Sequence, residues 1–300
     1  MGRWARVGLQ DCRGIGRRGM CLGARMRHLV PAAIALATVA TVSLAAPSVS
    51  ADAARPAAAP RAAAPKSWCA PEVTELSDHV CYADGGAQSN GRRTLVIYLH
   101  GALATRPGFA WMQQRTMAMN ASRSNFTVLI PTGPSDGVGF VWPSSQKDLK
   151  DKEPAILAKL QQARIDLEKR VGHGFDETFV VGFSSGAYYG SSLAVRNMLD
   201  VDGYIVLAGG SSWVKADSVA KSKRAPVFVG VSAADPQTAG HSRSFAGALA
   251  GMGWPFKVEE RNAGHMVDWT FMTHGIAWLR SRKGSKANAA ISNVSASTTE

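Results

Sequence analysis

Gly182-Phe183-Ser184-Ser185-Gly186 is a G-x-S-x-G sequence, and the residues before it, Phe179–Phe183, form a short apolar run of strand character. A serine held on a tight strand-to-helix turn lifts its hydroxyl above a sheet and beside the free N–H groups of a helix N-terminus. Such a hydroxyl is a weak nucleophile near neutral pH. It needs an imidazole to take its proton and a carboxylate to hold that imidazole in one tautomer.

Seven histidines are available. His265 follows the last strand-like run in Asn262-Ala263-Gly264-His265, a glycine-loosened loop where a side chain can swing toward Ser184. His241 lacks a strand-end position and His274 falls on a helical stretch, so both are lesser candidates. Asp235, in Ala233-Ala234-Asp235-Pro236, comes just after the run Pro226–Val231 and completes the order Ser, Asp, His. Asp217 and Asp268 are its rivals, and a turn or cap role is its structural alternative. For the oxyanion that forms on a carbonyl under attack, the backbone N–H groups of Ala102 and Ser185 are the expected donors. His100 is expected to brace the loop after its strand and not to act as base.

These residues need a parallel sheet to bring them together. Thr94–His100, Phe126–Pro131, Phe179–Phe183, Tyr204–Ala208, Pro226–Val231 and Phe256–Asn262 read as strands, several too continuously apolar to have a wet face. Ile156, Leu160, Ala163, Leu167 and Val171 recur at helical spacing, which predicts a helix over Pro154–Val171 with Pro154 in its first turn. Further helices are expected after Ser184 and over Phe245–Met252 and Met272–Arg280. Strand and helix in alternation imply an α/β fold with helices on both faces of the sheet and ligands at the carboxyl ends of the strands.

The formal net charge of +12 suggests nucleic acid until it is divided along the chain. Half of it belongs to residues 1–51, and the remainder forms no Lys/Arg stripe interleaved with aromatics, so no nucleic-acid partner is expected. Residues 1–51 are Arg-rich up to Arg27, apolar from Leu29 to Ala46, and end in Val49-Ser50-Ala51, the pattern of a cleaved secretory signal. Met26 would open a compact signal by itself, and no stable membrane insertion is expected after cleavage. Residues 52–66 read as an Ala/Pro-rich linker, 67–282 as the catalytic domain and 283–300 as a tail without apolar periodicity. Cys69 and Cys81 remain after the leader, and an even pair in an exported chain predicts a disulfide. No metal or cofactor is implied, since neither H-E-x-x-H nor C-x-x-C occurs.

Taken together, Leu99-His100-Gly101, Pro131-Thr132-Gly133, Trp142 and the Ser184 elbow resemble the α/β-hydrolase superfamily, in particular secreted polyhydroxybutyrate depolymerase-like and feruloyl esterase-like proteins. The stretch from Asp235 to His265 is similar to the dienelactone hydrolase and carboxylesterase branches. The resemblance implies ester hydrolysis through an acyl-enzyme without a cofactor, on a small-molecule or polymeric ester. A peptidase or amidase on the same scaffold and a non-catalytic binding protein are the alternatives. In this fold lids are commonly inserted after the strand that follows the elbow strand. Gly209 to Ala225 offers only 17 residues there, so an open site without a large lid domain is expected. Trp142, Tyr188, Trp213 and Trp269 are its candidate contact surfaces.

Overall fold

The computed structural model describes residues 67–296 except 78, 105–106, 212–218 and 222, with side chains to residue 282. The described residues all belong to one compact unit, Pro60–Glu300. The leader and the whole linker, residues 52–66, therefore lie outside them, as do Trp213 and Asp217. No helix among the described residues is long and apolar enough to cross a membrane.

The apolar runs pair as strands because their β-branched and aromatic side chains can be buried on both faces of a sheet. They are β3 (Thr94–Leu99), β5 (Thr127–Pro131), β7 (Glu177–Phe183), β8 (Gly203–Leu207), β9 (Val227–Ser232) and β10 (Phe256–Arg261). These six run parallel to one another within an eight-stranded sheet of order β1-β2-β5-β3-β7-β8-β9-β10. The edge before β5 is an antiparallel hairpin, β1 (Thr74–Ser77) and β2 (Val80–Asp84). A disulfide between Cys69 and Cys81 ties the segment leading into that hairpin to its second strand, across 5.7 Å between Cα atoms. A separate two-stranded ladder joins β4 (Leu103–Ala104) to β6 (Gly139–Phe140), linking the loops that follow β3 and β5.

Side-chain alternation along β3 sorts the core into two layers. Leu95, Ile97 and Leu99 face the layer built with α2 (Gln146–Val171), α3 (Ser185–Arg196) and α4 (Ala239–Gly251). Val96 and Tyr98 face the layer built with α1 (Pro107–Ser124) and α5 (Trp269–Ala296). The sheet is thus covered on both faces, as expected for an α/β sheet.

Three helices depart from the expected limits. Helix α2 starts at Gln146, so Pro154 lies inside it and not in its first turn. The start is fixed by Ser145, whose Oγ accepts the Asp148 N–H at 3.1 Å, and the polar first turns hide it from a periodicity argument. Helix α4 begins at Ala239, six residues before the expected Phe245, among small residues that carry no hydrophobic period. Helix α5 runs on to Ala296, into the stretch expected to be a tail. Four alanines between residues 283 and 296 are good helix formers even where nothing apolar marks a face.

Candidate active site

Strand β7 ends at Phe183 and α3 begins at Ser185, so Ser184 makes the whole turn, with φ 50° and ψ −116°. This is left-handed backbone for a non-glycine residue, a conformation that persists only where its surroundings enforce it. The enforcement is visible. Ser184 N–H donates to Leu207 O and Gly186 N–H to His100 O, both at 3.0 Å, which fastens the turn to β8 and to the end of β3. A Cβ on Gly182 would stand 2.3 Å from Gly186 O, and one on Gly186 only 2.0 Å from Leu99 O. Both glycines are therefore required by close backbone approach.

His265 and Asp235 come to this turn from the ends of the next strands. Asp235 follows β9, and its buried carboxylate accepts hydrogen bonds from Gln237 N–H at 3.0 Å and from the Thr238 hydroxyl. His265 follows β10; its Nδ1 lies 2.6 Å from Asp235 Oδ2 and its Nε2 3.0 Å from Ser184 Oγ. Because the carboxylate can only accept, Nδ1 carries the proton in the neutral ring and the Nε2 lone pair faces the serine hydroxyl. Burial alone would raise the Asp235 pKa, but hydrogen bonds from Thr238, His265 and Gln237 outweigh it and hold the carboxyl below its ordinary range. The Phe183 ring packs on the imidazole at 5.0 Å between centroids.

The rival residues are occupied elsewhere. Asp268 accepts the Thr270 N–H at 2.7 Å and lies 3.6 Å from Arg261. His274 meets the Glu259 carboxylate at 2.9 Å, and His241 Nδ1 is hydrogen-bonded to the Tyr188 hydroxyl. His100 is fully committed to backbone: its Nε2 accepts the Gly133 N–H at 2.9 Å, and its Nδ1 donates to Gly101 O at 2.6 Å. Burial lowers the His100 pKa to about 4, so the ring is neutral near pH 7.

Ala102, three residues past the end of β3, lines one hollow together with Ser184, and Ser185 opens α3 directly after the nucleophile. The Ser185 N–H, at the first position of its helix, has no intrahelical acceptor. Its hydroxyl accepts the Trp142 N–H at 3.0 Å, tying the loop after β6 to the elbow.

Two residues at the site were not foreseen. Gln113, on α1, accepts the Gly101 N–H at 3.1 Å and the Tyr98 hydroxyl at 2.8 Å through the same Oε1. Thr238 holds Asp235, and here the spacing of an Asp and a Thr three apart at a helix start was readable.

Two hollows meet at Ser184. One, of 290 Å³, contains His265 and Ala102 and is walled by Met112, Phe183, Met266 and Val267. The other, of 490 Å³, contains Ser185 and is walled by Trp142, Ser144, Asp148, Lys152 and Tyr188. Tyr188 thus lines the second hollow. Trp142 borders it but is only 3% exposed and stacks on Tyr189 with rings 6° from parallel, so it is a packed wall and not an open platform. Trp269 is exposed at the start of α5 and lines neither hollow.

No protein-family model matches the sequence, and no curated protein matches it either. Solved structures do resemble it in fold. A structure of YahD with malic acid aligns over 67% of this chain and 98% of its own, at 13% identity and a TM-score of 0.52. The Bacillus cereus carboxylesterase aligns over 67% and 93%, at 15% identity and a TM-score of 0.50. A carboxylesterase from Mesorhizobium loti does so over the same shares, at 19% identity and a TM-score of 0.50. The sheet order and these likenesses show that the chain has the α/β-hydrolase fold.

Proposed function

We propose that the protein is an exported carboxylic ester hydrolase that works through an acyl-enzyme on Ser184. The observation that carries this reading is the hydrogen-bonded row from Asp235 through His265 to Ser184 Oγ, with Nε2 at 3.0 Å from the hydroxyl. As Oγ attacks the ester carbonyl, Nε2 takes its proton, and Asp235 stabilises the imidazolium that results. The carbonyl oxygen becomes an alkoxide facing the N–H groups of Ala102 and Ser185, each such donor contributing about 3 kcal/mol to the transition state. The carbon–oxygen bond to the alcohol then breaks and the leaving oxygen takes the proton from Nε2. Water, deprotonated by the same nitrogen, releases the acid and restores the hydroxyl. Two of the solved structures that share the fold are carboxylesterases, which agrees with this chemistry.

Export is supported by the composition of residues 1–51 and by the Cys69–Cys81 bond, since disulfides persist in oxidising compartments. The N-terminus of the exported protein is expected at Asp52, read by terminal sequencing; a product retaining Arg27 would overturn the cleavage assignment.

The activity is tested with a fluorophosphonate probe and p-nitrophenyl acetate. The protein should be labelled, and Ser184→Ala should abolish labelling and lower kcat by roughly 10⁴-fold or more. Labelling that survives Ser184→Ala sinks the assignment.

A further inference from the structure

The Ala102 N–H can meet an oxyanion only if the chain holds it on both sides, since such donors act by being fixed in advance. On the N-terminal side Gly101 is fixed by His100 and Gln113. On the other side the buried Leu103 pairs with Phe140 in the ladder of β4 and β6. Each strand of that ladder has two residues, too few to be stable alone, so Phe140 must be held from elsewhere.

The segment before β1 holds it. The Trp68 ring meets the Phe140 ring near edge-to-face, with centroids 4.9 Å apart and planes at 66°, and His79 flanks the two rings at 5.6 and 6.1 Å. Trp68 O accepts from Trp111 Nε1 at 3.2 Å and from Gln114 Nε2 at 3.1 Å, which fastens it to α1. Next in the chain, Cys69 is bonded to Cys81, and the Ala70 N–H donates to Gln114 Oε1 at 2.6 Å. His79 O accepts both the N–H and the hydroxyl of Thr132, so the β1–β2 turn also grips the start of the loop that carries Phe140. Trp68 Nε1 is buried and meets no acceptor among the described residues, so the ring acts here by its bulk.

We infer that Trp68 and Phe140 are positioning residues for the reaction, through which the disulfide-tied segment before β1 fixes the Ala102 N–H. This rests on the ester-hydrolase reading above. Neither residue lines a hollow at Ser184, so neither is placed to bind the ester itself. The alkoxide exists only along the reaction, and loosening its donor therefore lowers kcat and leaves KM.

The test measures kcat and KM for p-nitrophenyl acetate, with kcat counted per fluorophosphonate-labelled site so that misfolded protein drops out. Trp68→Ala and Phe140→Ala should each lower kcat about tenfold, part of what a whole oxyanion donor contributes, with KM changed less than about twofold. The double variant should lose little more than either single, because both break one contact. Trp68→Phe keeps a ring against Phe140 and should recover most of the loss. Cys69→Ser/Cys81→Ser keeps Trp68 but frees its segment; it should lower kcat in the same way, and adding Trp68→Ala should change kcat little further. If Trp68→Ala is insoluble, Phe140→Leu, which keeps apolar volume without the ring, should show the same loss. Labelled variants with wild-type kcat, losses that multiply in the double variant, or a Trp68→Phe as impaired as Trp68→Ala overturn this inference alone. No turnover and no labelling in the wild type overturns the ester-hydrolase reading with it.

Discussion

The peptide joining Gly101 to Ala102 is aimed by side chains on both sides of it. Gly101 O accepts from His100 Nδ1 at 2.6 Å, and Gly101 N–H is held by Gln113 Oε1 at 3.1 Å. A trans peptide is planar, with its C=O and N–H pointing oppositely, so fixing Gly101 O fixes the direction of the Ala102 N–H. Gln113→Leu should release the loop and lower kcat about tenfold, a fraction of a full oxyanion donor, with KM changed less than twofold. Gln113→Glu keeps the acceptor and should recover part of the loss; equal losses in both variants would refute an aiming role. The strand end made His100 legible as a brace, whereas Gln113 was not, because α1 mixes buried Met117 with exposed Met112 and Met119 and shows no apolar stripe. His100 also leaves a signature in acid. Burial holds its pKa near 4 in the folded protein, against about 6.5 when unfolded, so the unfolded chain binds the extra proton between those values. Stability should be intact above pH 6.5 and fall by about 3 kcal/mol as pH drops to 4. Urea midpoints at several pH values should show that slope, and His100→Gln should flatten it.

Elements are held to one another by a few buried polar ties as well as by the two core layers. Arg196 on α3 forms a two-pronged pair with Glu153 on α2, at 2.7 and 2.6 Å, with side chains only 11% and 9% exposed. Removing one member leaves the other charge buried and should cost about 3–5 kcal/mol, whereas an apolar pair of similar volume should cost far less. Arg196→Met should therefore lower the urea midpoint sharply, and Glu153→Leu/Arg196→Met should restore most of it; a double variant no better than the single would contradict the argument. The parallel strands were legible because burial on both faces leaves a continuous apolar run, and all six sit within two residues of their expected ends. The hairpin β1–β2 was not, since its four and five residues are largely polar or half-exposed and depend on β5 and the disulfide for their pairing. Helix starts failed for a related reason: α2 and α4 open on polar or small residues; the Ser145 cap marks the start of α2, whereas Thr238 before α4 makes no side-chain cap bond to its helix.

At the scale of the whole molecule, the sheet end away from Ser184 is closed by a knot of polar side chains drawn from distant parts of the chain. Glu177, at the start of β7 and with a fully buried side chain, accepts from Thr94 Oγ1 at 2.6 Å and from Arg280 Nε at 2.7 Å. Arg280 also reaches Thr94 Oγ1 at 2.7 Å, so α5 is fastened to the beginnings of both β3 and β7. Leu279, the residue before it, is buried in the core layer that α1 and α5 share. We propose from these contacts that the catalytic domain needs its chain up to Arg280, while α5 continues to Ala296. A chain ending at Arg282 should keep kcat/KM and the urea midpoint within about twofold and 0.5 kcal/mol of the full chain, because Leu279 and Arg280, which fasten α5, are kept. One ending at Trp278 loses Leu279 and Arg280 together and leaves the Glu177 carboxylate with the neutral donors Thr94 and Gln88 and a longer contact with Arg92, 3.4 Å away. It should lose several kcal/mol, about 3–5 from the broken buried pair alone, and accumulate as insoluble protein. Arg280→Met in the full chain separates the two causes, since it keeps Leu279 and removes the guanidinium. If ending at Arg282 destabilises as much as ending at Trp278, residues 283–296 belong to the folded domain and its boundary at 282 is wrong.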